Sequence, residues 1–290
     1  MDSEAGALGE AKRRKRKPRI GLLNWSGNGN LGDDAMAEIL GEKIYARGYH
    51  VINMGEHTDE SAADAFIWGG GTLINGSHGI WPELPKKKPI IGFGLGLCER
   101  PGRYYWKNMK TFIEGALNGP NIVALYVRDV ATYDELKGID VKSTLSYDPV
   151  LWHEPIPRPQ TDDNIVACNF LYCEELSHAA FERERAKLNG AVFKGFAMDQ
   201  EDIRPMVDFG IECQRMRTAH DVMKLLSTAG MALVTRLHAY IFAYICRVPS
   251  IKHFAYDPKV DRFIERMRDH THAEAIEALD AHLDEALALL

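Results

Sequence analysis

From residue 19 onward, short apolar runs alternate with stretches of helical periodicity, and that alternation restricts the chain to α/β architectures. Runs at 19–24, 51–54, 65–68, 89–93 and 122–127 read as strands buried on both faces. Helical patterns at 33–47, 103–116 and 130–137 fall between them. The rhythm breaks at 150–163, VLWHEPIPRPQTDD, where three prolines and a polar end mark a linker. It then restarts, with strands at 164–168, 191–196, 231–235 and 250–254. Helices at 174–188, 200–209, 219–229, 237–246, 258–268 and 273–289 accompany them. The expected organisation is a basic tail at 1–18, a Rossmann-like domain at 19–152, a linker at 153–163 and a second Rossmann-like domain at 164–290. Two such halves face each other across a cleft, and a ligand belongs where the carboxyl ends of both sheets meet.

Charge narrows the partners. The net charge is −6, but residues 1–19 carry seven basic residues, Lys12 to Lys17 and Arg19, against Asp2, Glu4 and Glu10. The tail is therefore basic and the body strongly acidic, which argues against general nucleic-acid binding. A solvated, disordered tail is one reading of the basic block, and reversible contact with an anionic membrane surface is another. The five cysteines, Cys98, Cys168, Cys173, Cys213 and Cys246, form no CxxC pair, and no histidines sit at zinc-ligand spacing. Reduced thiols, no metal and a cytoplasmic location are expected. No apolar stretch approaches the ~20 residues of a membrane span.

Five segments carry candidate chemistry. SGNGNLGDD, at 26–34, lies between a strand and a helix and contains a GxGxxG match, Gly27, Gly29 and Gly32. Asp33 and Asp34 in the first helical turn oppose a pyrophosphate there, so Asp33 is read as a cap or as a ligand contact. WGGGTL places Gly69, Gly70 and Gly71 after a strand, as a tight turn or as backbone open to a ligand. YVRD offers Arg128 as an ion-pair partner or a ligand contact, and Asp148 before Pro149 closes the first half. TRLHA combines Arg236, a planar fork for phosphate or carboxylate, with His238, suited to proton transfer, at a helix start. YDPK sets Lys259 in a first helical turn, against the dipole and in favour of an anion.

In order and spacing, NLGD at 30–33, GGG at 69–71, VRD at 127–129, DP at 148–149, RLHA at 236–239 and YDPK at 256–259 together resemble the polysaccharide pyruvyl transferase family. The resemblance covers about residues 19 to 265 and implies a GT-B-like fold. It also implies transfer of pyruvate from phosphoenolpyruvate to a sugar hydroxyl pair as a ketal, with no cofactor. Arg236, the Leu237 backbone and His238 are implied to hold the donor, with Asp33 and the GGG loop on the acceptor side. His238 is then the candidate acid, Asp33 the base, and Arg236 with Lys259 the cation clamp. Asn30, Gly32, Gly69, Gly70, Gly71, Arg128, Asp148 and Tyr256 complete the expected substrate contacts. A lipid-linked acceptor would give the basic tail its use. A nucleotide-sugar glycosyltransferase of the same architecture, or a binding protein without turnover, would employ the same cleft differently.

Overall fold

The computed structural model describes residues 17–57, 59–75, 79–80, 83–98, 105–158, 162–171, 178–254 and 258–290. The first half runs Arg19–Leu23 (β1), Leu31–Ala46 (α1), His50–Gly55 (β2), Ala65–Asn75 (β3), Gly79–Ile80 (β4), Ile90–Cys98 (β5), Tyr105–Leu117 (α2), Ile122–Val127 (β6), Val130–Lys137 (α3) and Thr144–Leu145 (β7). The second runs Asp162–Asn169 (β8), His178–Lys187 (α4), Val192–Ala197 (β9), Ile203–Asp208 (α5), Cys213–Arg215 (β10), Ala219–Thr228 (α6) and Ala229–Val234 (β11). Leu237–Ile245 (α7), Ser250–His253 (β12), Pro258–Arg268 (α8) and His272–Ala288 (α9) end the chain.

Each half is built on one parallel sheet, in the order β2-β1-β3-β5-β6-β7 with β4 antiparallel on β3, and β10-β9-β8-β11-β12. The expected two-sheet α/β architecture is therefore present. Burial on both faces explains the unbroken apolar runs: Ala65, Phe66, Ile67 and Trp68 of β3 are all buried, as are Ile90, Ile91, Phe93 and Leu95 of β5. Strand order reverses at β1/β3 in one sheet and at β8/β11 in the other. Ligands of doubly wound sheets gather at the carboxyl ends beside such reversals. The loops that leave β1 and β11 there are those carrying Asn30 to Asp33 and Arg236 to His238.

Several expectations need correction. The glycine run lies inside β3 and does not follow it, because this strand continues to Asn75. Val150, Leu151 and Trp152 are not linker but a buried 3-10 turn, Pro149–Trp152, whose Trp152 ring stacks on Phe93 at 5.7 Å. Apolar side chains outweigh the neighbouring prolines here. The short strands β4, β7 and β10 were not anticipated, being too brief to show a period. Lys17 belongs to the folded body, with its ammonium 4.5 Å from the Tyr49 ring centroid; residues 1–16 lie outside the described residues.

Helix α9 departs most from the expected division. It follows the second sheet in sequence but packs on the first half: Arg47 pairs with Asp280 at 2.9 Å and Asp284 at 2.5 Å, and Ser146 Oγ meets His282 Nδ1 at 2.9 Å. One core runs unbroken from Ile20, Phe93 and Tyr126 through Val150 and Trp152 to Phe196, Phe242 and Leu283. We retain the halves at 19–152 and 164–290 as a proposal, with α9 excepted. Among the described residues no helix is long and apolar enough to cross a membrane.

Candidate active site

The amino end of α1 forms one wall of the seam between the halves. Asn30 caps the helix, its side chain accepting from the Gly32 N–H at 3.0 Å. The Leu31 N–H, another donor that a helix start leaves without an internal partner, reaches across the seam to the Met198 carbonyl at 2.8 Å. Capping is thus Asn30's work, and Asp33 is free of it. Asp34 instead accepts from the Gly27 N–H at 2.7 Å, closing the loop before the helix.

His238, in the first turn of α7, lies directly on Gly32: a Cβ at position 32 would stand 1.9 Å from its Nδ1. Gly71, with φ of +104°, serves Asp33 in the same way, since a Cβ there would lie 2.6 Å from Asp33 Oδ1. Gly69 would strike the Phe93 carbonyl oxygen at 2.2 Å, and Gly70 touches Met36. At all three positions the glycines make room for neighbouring protein atoms. They let α1 settle onto β3 and β5 and bring Asp33 to the seam.

Arg128, at the end of β6, and Asp148, before the 3-10 turn, form a buried pair at 2.8 Å. His238 joins them, with Nε2 3.2 Å from Arg128 Nη1 and 3.5 Å from Asp148 Oδ2. A guanidinium only donates, so neutral His238 accepts at Nε2 and carries its proton on Nδ1; protonated His238 turns an Nε2–H toward Asp148. Burial would raise Asp148, but the charge of Arg128 and the hydrogen bond with His238 outweigh it and hold the carboxyl down to about 2. Asp33 behaves oppositely: burial drives its pKa up, against the charges of His238 and Arg128. Gly96 makes room for this cluster, a Cβ there lying 2.7 Å from Arg128 Nε.

Two cavities adjoin the seam. A small one of about 30 Å³ is lined by Arg128, Asp148, Leu237, Lys259, Arg262 and Arg266, among others. It gathers four residues singled out in the sequence and two that were not. Lys259, Arg262 and Arg266 recur at helical spacing on α8, and that basic stripe was the available signal. Arg266 is fixed by bonds to the Arg128 and Ser146 carbonyls and lies over the Tyr147 ring at 3.7 Å. The larger cavity, about 970 Å³, lies between the Gly27–Asn28–Gly29 loop and Leu171, Asp199, Gln200, Glu201, Arg204 and Arg215.

Arg236 is not the open fork that the sequence suggested. Its Nε bonds Asp202 at 2.5 Å, and Nη2, buried without a hydrogen-bond partner, lies 3.7 Å from Asp199 and 3.9 Å from Glu201. Three carboxylates lie within 4 Å of one guanidinium and offset its charge there. Tyr256 lies outside the described residues. Among the described residues no group of three His, Cys, Asp or Glu side chains is placed to hold a metal ion.

Two parallel α/β halves with a charged seam at both strand-order reversals define a cleft-site α/β protein. The chain belongs to the polysaccharide pyruvyl transferase family, which it matches over residues 13–258. No curated protein matches it. Among solved structures it is similar to a functionally uncharacterised protein from Klebsiella pneumoniae at 14% identity, covering 87% of this chain and 89% of that one with a TM-score of 0.49. A UDP-GlcNAc 2-epimerase from Methanocaldococcus jannaschii is similar at 11% identity, 90% and 91% coverage and a TM-score of 0.47. An alpha-glucosyltransferase solved with UDP and a 13-mer DNA is similar at 9% identity, 93% and 92% coverage and a TM-score of 0.48. These likenesses say nothing of substrate.

Proposed function

We propose that the protein moves a pyruvyl unit from phosphoenolpyruvate onto two hydroxyls of a saccharide, forming a cyclic ketal and releasing phosphate. The observation that carries this reading is His238, held by the Arg128–Asp148 pair beside a cavity lined by Arg128, Lys259, Arg262 and Arg266. Cations converging next to a proton-transfer group suit a small dianionic donor that must be protonated on carbon. A proton from His238 goes to the methylene carbon, leaving an oxocarbenium-like centre. One hydroxyl adds there, phosphate leaves with the former enol oxygen, and a second hydroxyl closes the ring. Two hydroxyl protons are released, and Asp33, its pKa raised by burial, takes one in this reading. The donor needs more room than about 30 Å³, so α8 must part from the start of α3 to admit it. The larger cleft, lined by carboxylates, guanidinia and backbone, suits a hydroxyl-rich acceptor.

The test is a donor panel. Phosphate release from phosphoenolpyruvate that depends on added saccharide supports the reading. Nucleotide release from a sugar nucleotide would replace it with glycosyl transfer, and binding without release of either would leave a binding protein. A cytoplasmic enzyme meeting a lipid-linked acceptor at an anionic membrane, through its basic tail, completes the proposal.

A further inference from the structure

We infer that the Arg236–Asp202 pair is a strut that sets the amino end of α1, and with it Asp33, against His238 across the seam. The effect on turnover rests on the proposed reaction; the seam contact does not. Asp202 is fully buried, and its two oxygens divide their work. Oδ1 takes Arg236 Nε at 2.5 Å. Oδ2 takes the backbone N–H groups of Met198 at 2.9 Å and Asp199 at 3.1 Å, and the Asn169 amide at 3.0 Å. The carbonyl of the same Met198 receives the Leu31 N–H at 2.8 Å. A single peptide unit is thus held from behind by Asp202 and holds α1 in front.

Asn169 adds a second tie. Its amide also bonds the Phe196 carbonyl at 2.9 Å, and its own carbonyl accepts from the Thr235 N–H at 2.9 Å. The ends of β8, β9 and β11 are therefore stitched around Asp202, and Arg236 follows Thr235 directly. Burial pushes the Asp202 carboxyl upward and Arg236 opposes it, so loss of the guanidinium would favour a protonated acid. A protonated Asp202 gives up acceptor capacity on one oxygen and loosens its hold on 198–199. Within this arrangement Arg236 is a positioning residue, and the donor's cations lie in the other cavity.

Hydrogen exchange and donor calorimetry on full-length Arg236→Lys, Arg236→Gln and Asp202→Asn separate the roles. The amides of 27–33 should exchange at least about tenfold faster in Arg236→Gln and Asp202→Asn, with Arg236→Lys between them and the wild type. Those of β5 and α4 should be unchanged. Phosphoenolpyruvate affinity should stay within about threefold, while kcat falls by roughly 10²-fold, the scale of a misplaced reacting group. Unchanged exchange at 27–33 overturns the strut. So does a tenfold loss of donor affinity without faster exchange, which makes Arg236 a donor ligand, and so does equal acceleration in every element, which makes the pair a general stabiliser. If the wild type neither binds nor consumes phosphoenolpyruvate, the proposed reaction falls and the exchange result still decides the strut.

Discussion

A methyl group at position 32 would reach to within 1.9 Å of the His238 ring, although helix α1 itself would welcome it. Alanine is the better helix former by about 1 kcal/mol. Gly32→Ala should therefore push His238 off the Arg128–Asp148 pair, and the helix-propensity gain should be offset by the loss of that buried contact. Turnover should fall by about 10²–10⁴-fold, the range for a displaced acid or base. Normal turnover in that variant would remove His238 from the chemistry. Asp33 supplies the companion test. Its folded pKa is raised, so the native state binds its proton more tightly than the unfolded chain, and the ionised form costs stability above that pKa. Asp33→Asn should melt higher than the wild type at pH 7. The advantage should shrink as pH falls and the wild-type carboxyl takes up its proton. A variant that melts lower at pH 7 would show that His238 and Arg128 stabilise the ion more than burial penalises it.

Helix α8 is the element on which donor binding should register. Its basic stripe closes a cavity too small for the proposed donor, so saturation should reorder the helix against α3 and α7. Exchange at 258–268 should slow under phosphoenolpyruvate, by up to about a hundredfold at a hundred times Kd. The amides of α4, remote from the seam, serve as reference. Indifference of α8 would move the donor to the larger cleft. Element by element, α3 and α8 begin and end where periodicity puts them, because caps and prolines mark their ends. The site was legible in part. RLHA and YDPK announced His238 and Lys259, but the carboxylates around Arg236 come from 199–202, and nothing in the local sequence tells which way the guanidinium turns. The packing role of the GGG run was hidden for a related reason: Asp33 and the Phe93 carbonyl, which demand those glycines, are remote in sequence.

At the scale of the molecule, two sheets share one core, and α9 helps to close it. Leu279, Leu283 and Leu287 are buried in it, each worth about 1.5–3 kcal/mol. Together these approach the whole stability of an ordinary domain, about 5–15 kcal/mol. Ending the chain at residue 270 should therefore expose apolar surface to a dye such as ANS and abolish a cooperative melt. A truncated chain that still melts cooperatively would show α9 to be an accessory. The alternation of strands and helices revealed two sheets, yet not this return, because an amphipathic helix carries no record of which sheet will cover it. In topological terms the second sheet is a guest inserted into a host that both opens and closes the chain. Exchanging either half between relatives thus calls for two crossovers, one after Trp152 and one before His272. A single-crossover chimera would set a foreign α9 against Arg47, Tyr49 and Ser146, whose partners Asp280, Asp284, Leu287 and His282 it would have lost.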